Sequence, residues 1–194
     1  DIMRNHTATH LLHSGLRAVL GDHVRQAGSL VAPDRLRFDF THAESMTPQE
    51  IARVEQFVND AILENDPLNV QLKPHQQAVD EGAMALFGET YGEMVRTVSI
   101  GQARRISYEL CGGTHVPETG VIGPFLIVSE GSVAAGVRRI EALTGRAAQE
   151  LIRTRLASLG SLAARLGVAQ DAVGDRVEAL QDERETLLKQ ISQL

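Results

Sequence analysis

A chain of 194 residues, 43% hydrophobic and 23% charged, has an ordinary globular composition and suffices for one sizeable core plus an appendage. Its formal charge of −6 gives no bulk electrostatic support for nucleic-acid binding, so such a partner must rest on local clusters. One cysteine excludes an internal disulfide, and no apolar stretch approaches a membrane span or a secretory leader. Because Asp1 stands first, the chain reads as a fragment of a longer protein.

Residues 3–20 predict a helix, with Leu12, Leu16, Val19 and Leu20 on one stripe and Gly21 as the stop. Two strands follow, at 24–31 and 36–40, joined by the turn signal Ala32-Pro33-Asp34. In the second, Leu36, Phe38 and Phe40 alternate with Arg37 and Asp39, the period of a half-buried strand. Thr47-Pro48-Gln49-Glu50 supplies an N-cap, a first-turn proline and a capping-box glutamate. The helix that follows carries Ile51, Val54, Phe57, Val58, Ala61 and Ile62 on one face and ends at Asn65-Asp66-Pro67. Val70 and Leu72 suggest a short strand, and residues 75–81 a short helix.

From Gly82 the chain turns glycine-rich (Gly82, Gly88, Gly92, Gly101, Gly112, Gly113, Gly120, Gly123), with strands predicted at 94–100, 105–110, 122–129 and 136–143. This is an α+β pattern. Both tyrosines and all five phenylalanines precede residue 126, and the pattern after Thr144 is helical throughout. Val173, Val177, Leu180, Arg184, Leu187, Ile191 and Leu194 form a heptad seam broken by Arg184, and residues 160–172 read as a hinge. The expected domains are 1–145 and a helical, coiled-coil-like tail at 146–194 with its heptad segment at 173–194. A helix folded back on its own domain is the alternative for that tail.

His6 and His10 stand one helical turn apart, a spacing that lets two imidazoles hold one ion. A zinc peptidase would carry glutamate beside the first histidine. Here that position is Thr7, which argues against protease chemistry. Cys111 and His115 repeat the four-residue offset in a glycine-rich turn. Three nitrogens and one sulfur suit tetrahedral Zn²⁺. His13 lies on nearly the same face but is not needed as a fifth ligand. His23, His42 and His75 lack partners at ligand spacing and read as surface residues. The arginine pairs Arg35/Arg37, Arg104/Arg105 and Arg138/Arg139 could hold phosphate or form surface ion pairs.

The segments HTATHLLHSGLRAVLG (6–21), QAGSLV (26–31), RLRFDFTH (35–42), GAMALFGETYGE (82–93), ELCGGTH (109–115) and AAGVRRIEALTG (134–145) resemble the editing domain of the alanyl-tRNA synthetase family. The remaining tail resembles the start of that enzyme's C-terminal region. The resemblance implies a zinc-containing fold of the alanyl/threonyl type, with Zn²⁺ held by His6, His10, Cys111 and His115. It implies hydrolysis of tRNA(Ala) mischarged with serine or glycine, in the cytoplasm. Cys111 and Gln26 are the expected catalytic residues, and Thr7, Thr9, Gln26 and Arg138 the expected substrate contacts. The ATP-dependent aminoacylation domain of the parent ligase has no counterpart here. Self-association through the tail is a further expectation. Rival readings are a free-standing or threonyl-type deacylase and a non-catalytic, zinc-stabilised tRNA-binding module. The threonyl family typically has arginine and proline where this chain has Gly112 and Thr114.

Physical chemistry says why editing is needed. One methyl is worth about 1–3 kcal/mol in an apolar pocket, so glycine cannot be strongly excluded, and such a pocket rejects the hydroxyl of serine poorly as well. With all four protein ligands bound, the metal is closed unless it becomes five-coordinate, so both an organising role and water ionisation stay open.

Overall fold

The computed structural model describes residues 1–85, 90–102 and 105–193, in two compact units, Asp1–Gln149 and Glu150–Leu194. Gly88, Arg104 and the seam residue Leu194 lie outside the described residues, as do 86–89 of the segment 82–93.

In the first unit, α1 (Ile2–Leu20) is followed by β1 (Gln26–Val31), β2 (Leu36–Thr41), α2 (Pro48–Leu63), β3 (Leu68–Pro74) and α3 (His75–Asp80). Then come β4 (Met94–Ile100), β5 (Ser107–Leu110), β6 (Phe125–Ala134), β7 (Val137–Thr144) and the start of α4 (Gly145–Leu166). One antiparallel sheet has the order β1-β2-β7-β6 and the other β3-β4-β5. The strand predicted at 122–129 starts later, at Phe125, because Thr119–Ile122 closes as a 3₁₀ turn ahead of Gly123, whose φ is +73°.

Helix α1 contacts strands of both sheets and packs on α2. The expected single apolar stripe is therefore too narrow: between Asn5 and Leu16 every residue except His6 is buried. Its buried polar groups need partners within the protein. The Asn5 amide donates to the Ala32 carbonyl (2.7 Å), and its Oδ1 accepts from the Thr144 hydroxyl (2.6 Å). The core packs Leu11, Leu12 and Leu16 against Phe38, Phe40, Val54, Val58 and Ile140. Helix α2 starts as its sequence requires. Thr47 accepts from the Glu50 backbone and Glu50 accepts from the Thr47 backbone, satisfying two end-of-helix donors.

In the second unit, α4 runs through the predicted hinge start at Gly160 and stops only at Leu166. One glycine among good helix formers weakens a helix without breaking it. The stop is a Schellman motif: Gly167 has φ +67°, its N–H donates to Ala164, and the N–H of Val168 donates to Ala163. Helix α5 (Val173–Ile191) has no buried residue.

Candidate metal centre and adjoining pockets

Three segments meet at the site: the first half of α1, the end of β5 and the loop that leaves it. His6 and His10 project from α1 toward Cys111 and His115. The four ligand atoms lie within 4.8 Å of one another. The Cys111 sulfur is 3.4 Å from His6 Nε2 and 3.3 Å from His115 Nε2.

Backbone and side-chain contacts fix the loop. Arg96 on β4 donates through one nitrogen to the carbonyls of Cys111 and Gly113, both at 2.7 Å, while the Cys111 N–H donates to the Arg96 carbonyl (3.0 Å). At Gly113 a Cβ would lie 2.0 Å from His6 Cε1, so only glycine lets the ring close on the cysteine. The Thr7 hydroxyl donates to the Met3 carbonyl and accepts from the Val116 N–H. With its proton so used, it accepts from His115 Nδ1 (3.2 Å), which leaves the Nε2 lone pair of His115 facing the sulfur.

Glu109 on β5 does the same for two more rings. Its carboxylate lies 2.7 Å from His10 Nδ1 and 3.1 Å from His13 Nδ1 and also takes the Ser107 hydroxyl at 3.3 Å. Burial pushes this carboxyl up, but the charge of His10 and the hydrogen bonds from His10 and His13 outweigh it and hold the group well below the usual carboxylate range. An ionised carboxylate only accepts, so both Nδ1 atoms carry hydrogen and the Nε2 atom of each ring is turned away from Glu109. Those two Nε2 atoms are buried without a hydrogen-bond partner among the described residues.

The electrostatics ask for a cation. Burial raises the Cys111 thiol, yet the imidazoles of His10, His115 and His6 bring it from its ordinary 9.0 down to about 3, a thiolate at neutral pH. Burial lowers His10, but Glu109 and the nearby Cys111 sulfur together raise it to about 10. The same negative field would hold a divalent metal ion in place of that proton. Thiolate and Glu109 together carry two negative charges, which a divalent ion beside three neutral imidazoles would balance. His115 is lowered, by burial first and then by the charges of His10 and His6, and so stays available as a neutral ligand. A soft thiolate and three imidazoles, one of them (His10) with its buried Nε2 orphaned, fit a tetrahedral, borderline-soft divalent ion.

Two pockets flank the cluster. One, of about 440 Å³, is lined by His6, Cys111, Gly112, Arg96 and Tyr91. A Cβ on Gly112 would meet nothing within 4 Å. The other, of about 320 Å³, is lined by His13, Glu109, Gln26, Arg25, Val24 and Met84.

The predicted site residues divide accordingly. His6, His10, Cys111 and His115 come together, and Thr7 is joined to them as a support for His115. Gln26, at the start of β1, faces the second pocket with Glu109 and donates to Ser29 (3.2 Å). Thr9 is buried and donates to the Asn5 carbonyl within its own helix. Arg138 forms two hydrogen bonds with Glu130, at 2.6 and 2.8 Å, and its side chain is only 12% exposed, so its guanidinium is already held. Arg35 and Arg139 are likewise paired with carboxylates, and Arg105 lies over the Tyr108 ring. His23 and His42 stack and lie 3.0 Å apart, and His75 stacks on Tyr91. The reading of single residues missed Glu109, Arg96 and the part played by His13. The available signals were the alternation that puts Glu109 on the same strand face as Cys111, and a third histidine one turn beyond His10.

Residues 95–141 match the family described as the threonyl and alanyl tRNA synthetase second additional domain, a stretch that contains Cys111 and His115. An alanine–tRNA ligase of Thermotoga maritima is 53% identical over 191 residues, 98% of this chain and 22% of the relative. One from Thermus thermophilus is 57% identical over 183 residues, 93% of this chain and 21% of the relative. That of Nitratidesulfovibrio vulgaris is 56% identical over 186 residues, 96% and 21% respectively. The chain belongs to the alanyl-tRNA synthetase family as one segment of it, spanning about a fifth of the length of these relatives. Among the described residues, no helix is long and apolar enough to cross a membrane.

Proposed function

We propose that this chain hydrolyses the ester joining serine or glycine to tRNA(Ala), as the editing part of an alanyl-tRNA synthetase, with Zn²⁺ held by His6, His10, Cys111 and His115. The catalytic part is residues 1–145, and 146–194 begins the C-terminal region. The observation that carries the reading is Glu109. It binds the Nδ1 of a ligand histidine and also lines the pocket that holds Gln26, so the metal cluster and the pocket share a wall.

Zinc bound there would supply positive charge beside the reacting ester. Cys111 serves it as a ligand, and its thiolate is thereby committed to the metal. Gln26 offers an amide to the serine hydroxyl. Glycine is accepted because it is small, and alanine is disfavoured because its methyl leaves a polar group unpaired, which costs about 1–3 kcal/mol. Thr7 and Glu109 hold the ligand rings by Nδ1, and Arg96 holds the loop. A donor set of four protein atoms is closed, which favours an organising metal over one that ionises water.

The test is deacylation of Ser-, Gly- and Ala-tRNA(Ala) by zinc-loaded protein at low salt and high protein concentration, since the −6 charge weakens RNA binding. Serine and glycine are expected to be released and alanine spared. Equal release of serine and alanine would refute editing. Binding of tRNA with release of neither would leave the non-catalytic binding module.

A further inference from the structure

We infer that Arg96 binds the last phosphodiester of the RNA acceptor end, in the 440 Å³ pocket beside His6 and Cys111. The inference rests on the editing reading above and names a contact which that reading lacks, since Arg138, the cation expected to meet the RNA, is held by Glu130.

Arg96 stands on β4, half-buried, with its guanidinium against the loop that carries Cys111. One nitrogen, Nη1, makes both bonds to that loop, at 2.7 Å to the carbonyls of Cys111 and Gly113. The Nε and Nη2 groups have no acceptor and no carboxylate among the described residues, and both are open to solvent. Elsewhere in the protein that same edge of the guanidinium grips an anion. Arg138 holds Glu130, and Arg139 holds Asp39, each through Nε and Nη2 at 2.6 and 2.8 Å. The planar fork fits two oxygens of a phosphate as well as two of a carboxylate.

Charge points the same way. A divalent ion balances the Cys111 thiolate and Glu109, which leaves Arg96 without a counter-ion at the edge of the centre. A half-buried charge in that position is unfavourable until an anion reaches it. The ester of an aminoacyl-RNA is neutral, and the nearest anion is the phosphodiester one sugar away, which joins the terminal nucleotide to the one before it. An ester seated at the cluster carries that phosphate into the neighbourhood of Arg96. Tyr91 and Met94, the latter 51% exposed, line the same pocket and give it aromatic and apolar surface for a base.

The experiment measures binding of uncharged tRNA(Ala) to zinc-loaded wild type, Arg96→Gln and Arg96→Lys across a salt series, with bound zinc determined for each. Glutamine can still donate to the loop carbonyls but carries no charge, whereas lysine keeps the charge. Arg96→Gln is expected to bind about tenfold more weakly at low salt, with zinc content unchanged. Its plot of log affinity against log salt is expected to be shallower by about 0.7, the share of one phosphate contact. Arg96→Lys is expected to recover the slope. An RNA lacking the terminal nucleotide also lacks that phosphate, so wild type and Arg96→Gln are expected to bind it alike. Equal slopes for wild type and Arg96→Gln on the full-length RNA would overturn the inference, as would a deficit of Arg96→Gln that is the same on the shortened RNA. Zinc lost from both variants, with lysine restoring nothing, would make Arg96 a holder of the loop alone and overturn it too. Because the RNA is uncharged, a dependence on Arg96 and the terminal nucleotide without any release of serine in the deacylation assay would remove the editing reading and leave this subsite standing.

Discussion

Gly113 and Cys111 show how little latitude the centre has at the level of single atoms. The His6 ring occupies the space that a Cβ at position 113 would need, 2.0 Å from Cε1, and the sulfur of Cys111 lies between the His6 and His115 nitrogens. Gly113→Ala must therefore displace His6, while Gly112→Ala meets nothing within 4 Å and serves as its control. After metal-free purification and zinc add-back, one ion per chain is expected for the wild type and for Gly112→Ala. Weakened binding is expected for Gly113→Ala, and also for Cys111→Ala through loss of the thiolate. Elemental analysis showing equal zinc in all four proteins would remove the metal assignment. The ligand spacing was legible in the sequence because i, i+4 and C-x-x-x-H are local patterns. The carboxylate behind His10 was not, because Glu109 meets α1 only through tertiary packing across 99 residues of chain.

Elements were legible where local chemistry dictates them and less so where packing does. The Thr47–Glu50 box and the alternation in β2 translate directly into structure. Asp39 is the exception in β2: it was expected on the solvent side but is buried at 8% exposure, since Arg139 on β7 binds it at 2.6 and 2.8 Å. A second cross-element tie joins β3, α3 and β5. Glu81, just past α3, accepts from Lys73 at the end of β3, from Gln77 and from Tyr108 on β5. The hydrogen bond from Lys73 leads in pulling its carboxyl from the ordinary 4.5 to about 2, with Gln77 and Tyr108 adding to it. A folded-state value below the unfolded one means that ionised Glu81 favours the fold above pH 4.5. That contribution declines as pH falls toward 2. Glu81→Gln is accordingly expected to melt at a lower temperature than wild type at pH 7, with the gap closing between pH 4.5 and 2. A gap that persists unchanged to pH 2 would mean that the carboxylate charge is not what ties these elements.

For the whole molecule, all four candidate ligands and both hydrophobic clusters of the described residues lie within Asp1–Gln149, while α5 in the second unit buries none of its residues. Along α5, Val177, Leu180, Leu187 and Ile191 are 41%, 37%, 57% and 66% exposed, on the 3,4-spaced seam read from the sequence. Burying such side chains fully is worth about 1.5–3 kcal/mol each, and a second copy of the same seam is the simplest partner that matches their spacing. Arg184 sits midway along that stripe. In a symmetric pair, parallel or antiparallel, it would face its own counterpart, which opposes association. Sedimentation is therefore expected to show weak, concentration-dependent self-association. Arg184→Leu should strengthen it, and deletion from residue 170 onward should abolish it. An identical mass at all concentrations with and without that segment, and with leucine at 184, would mean that the seam meets a different partner.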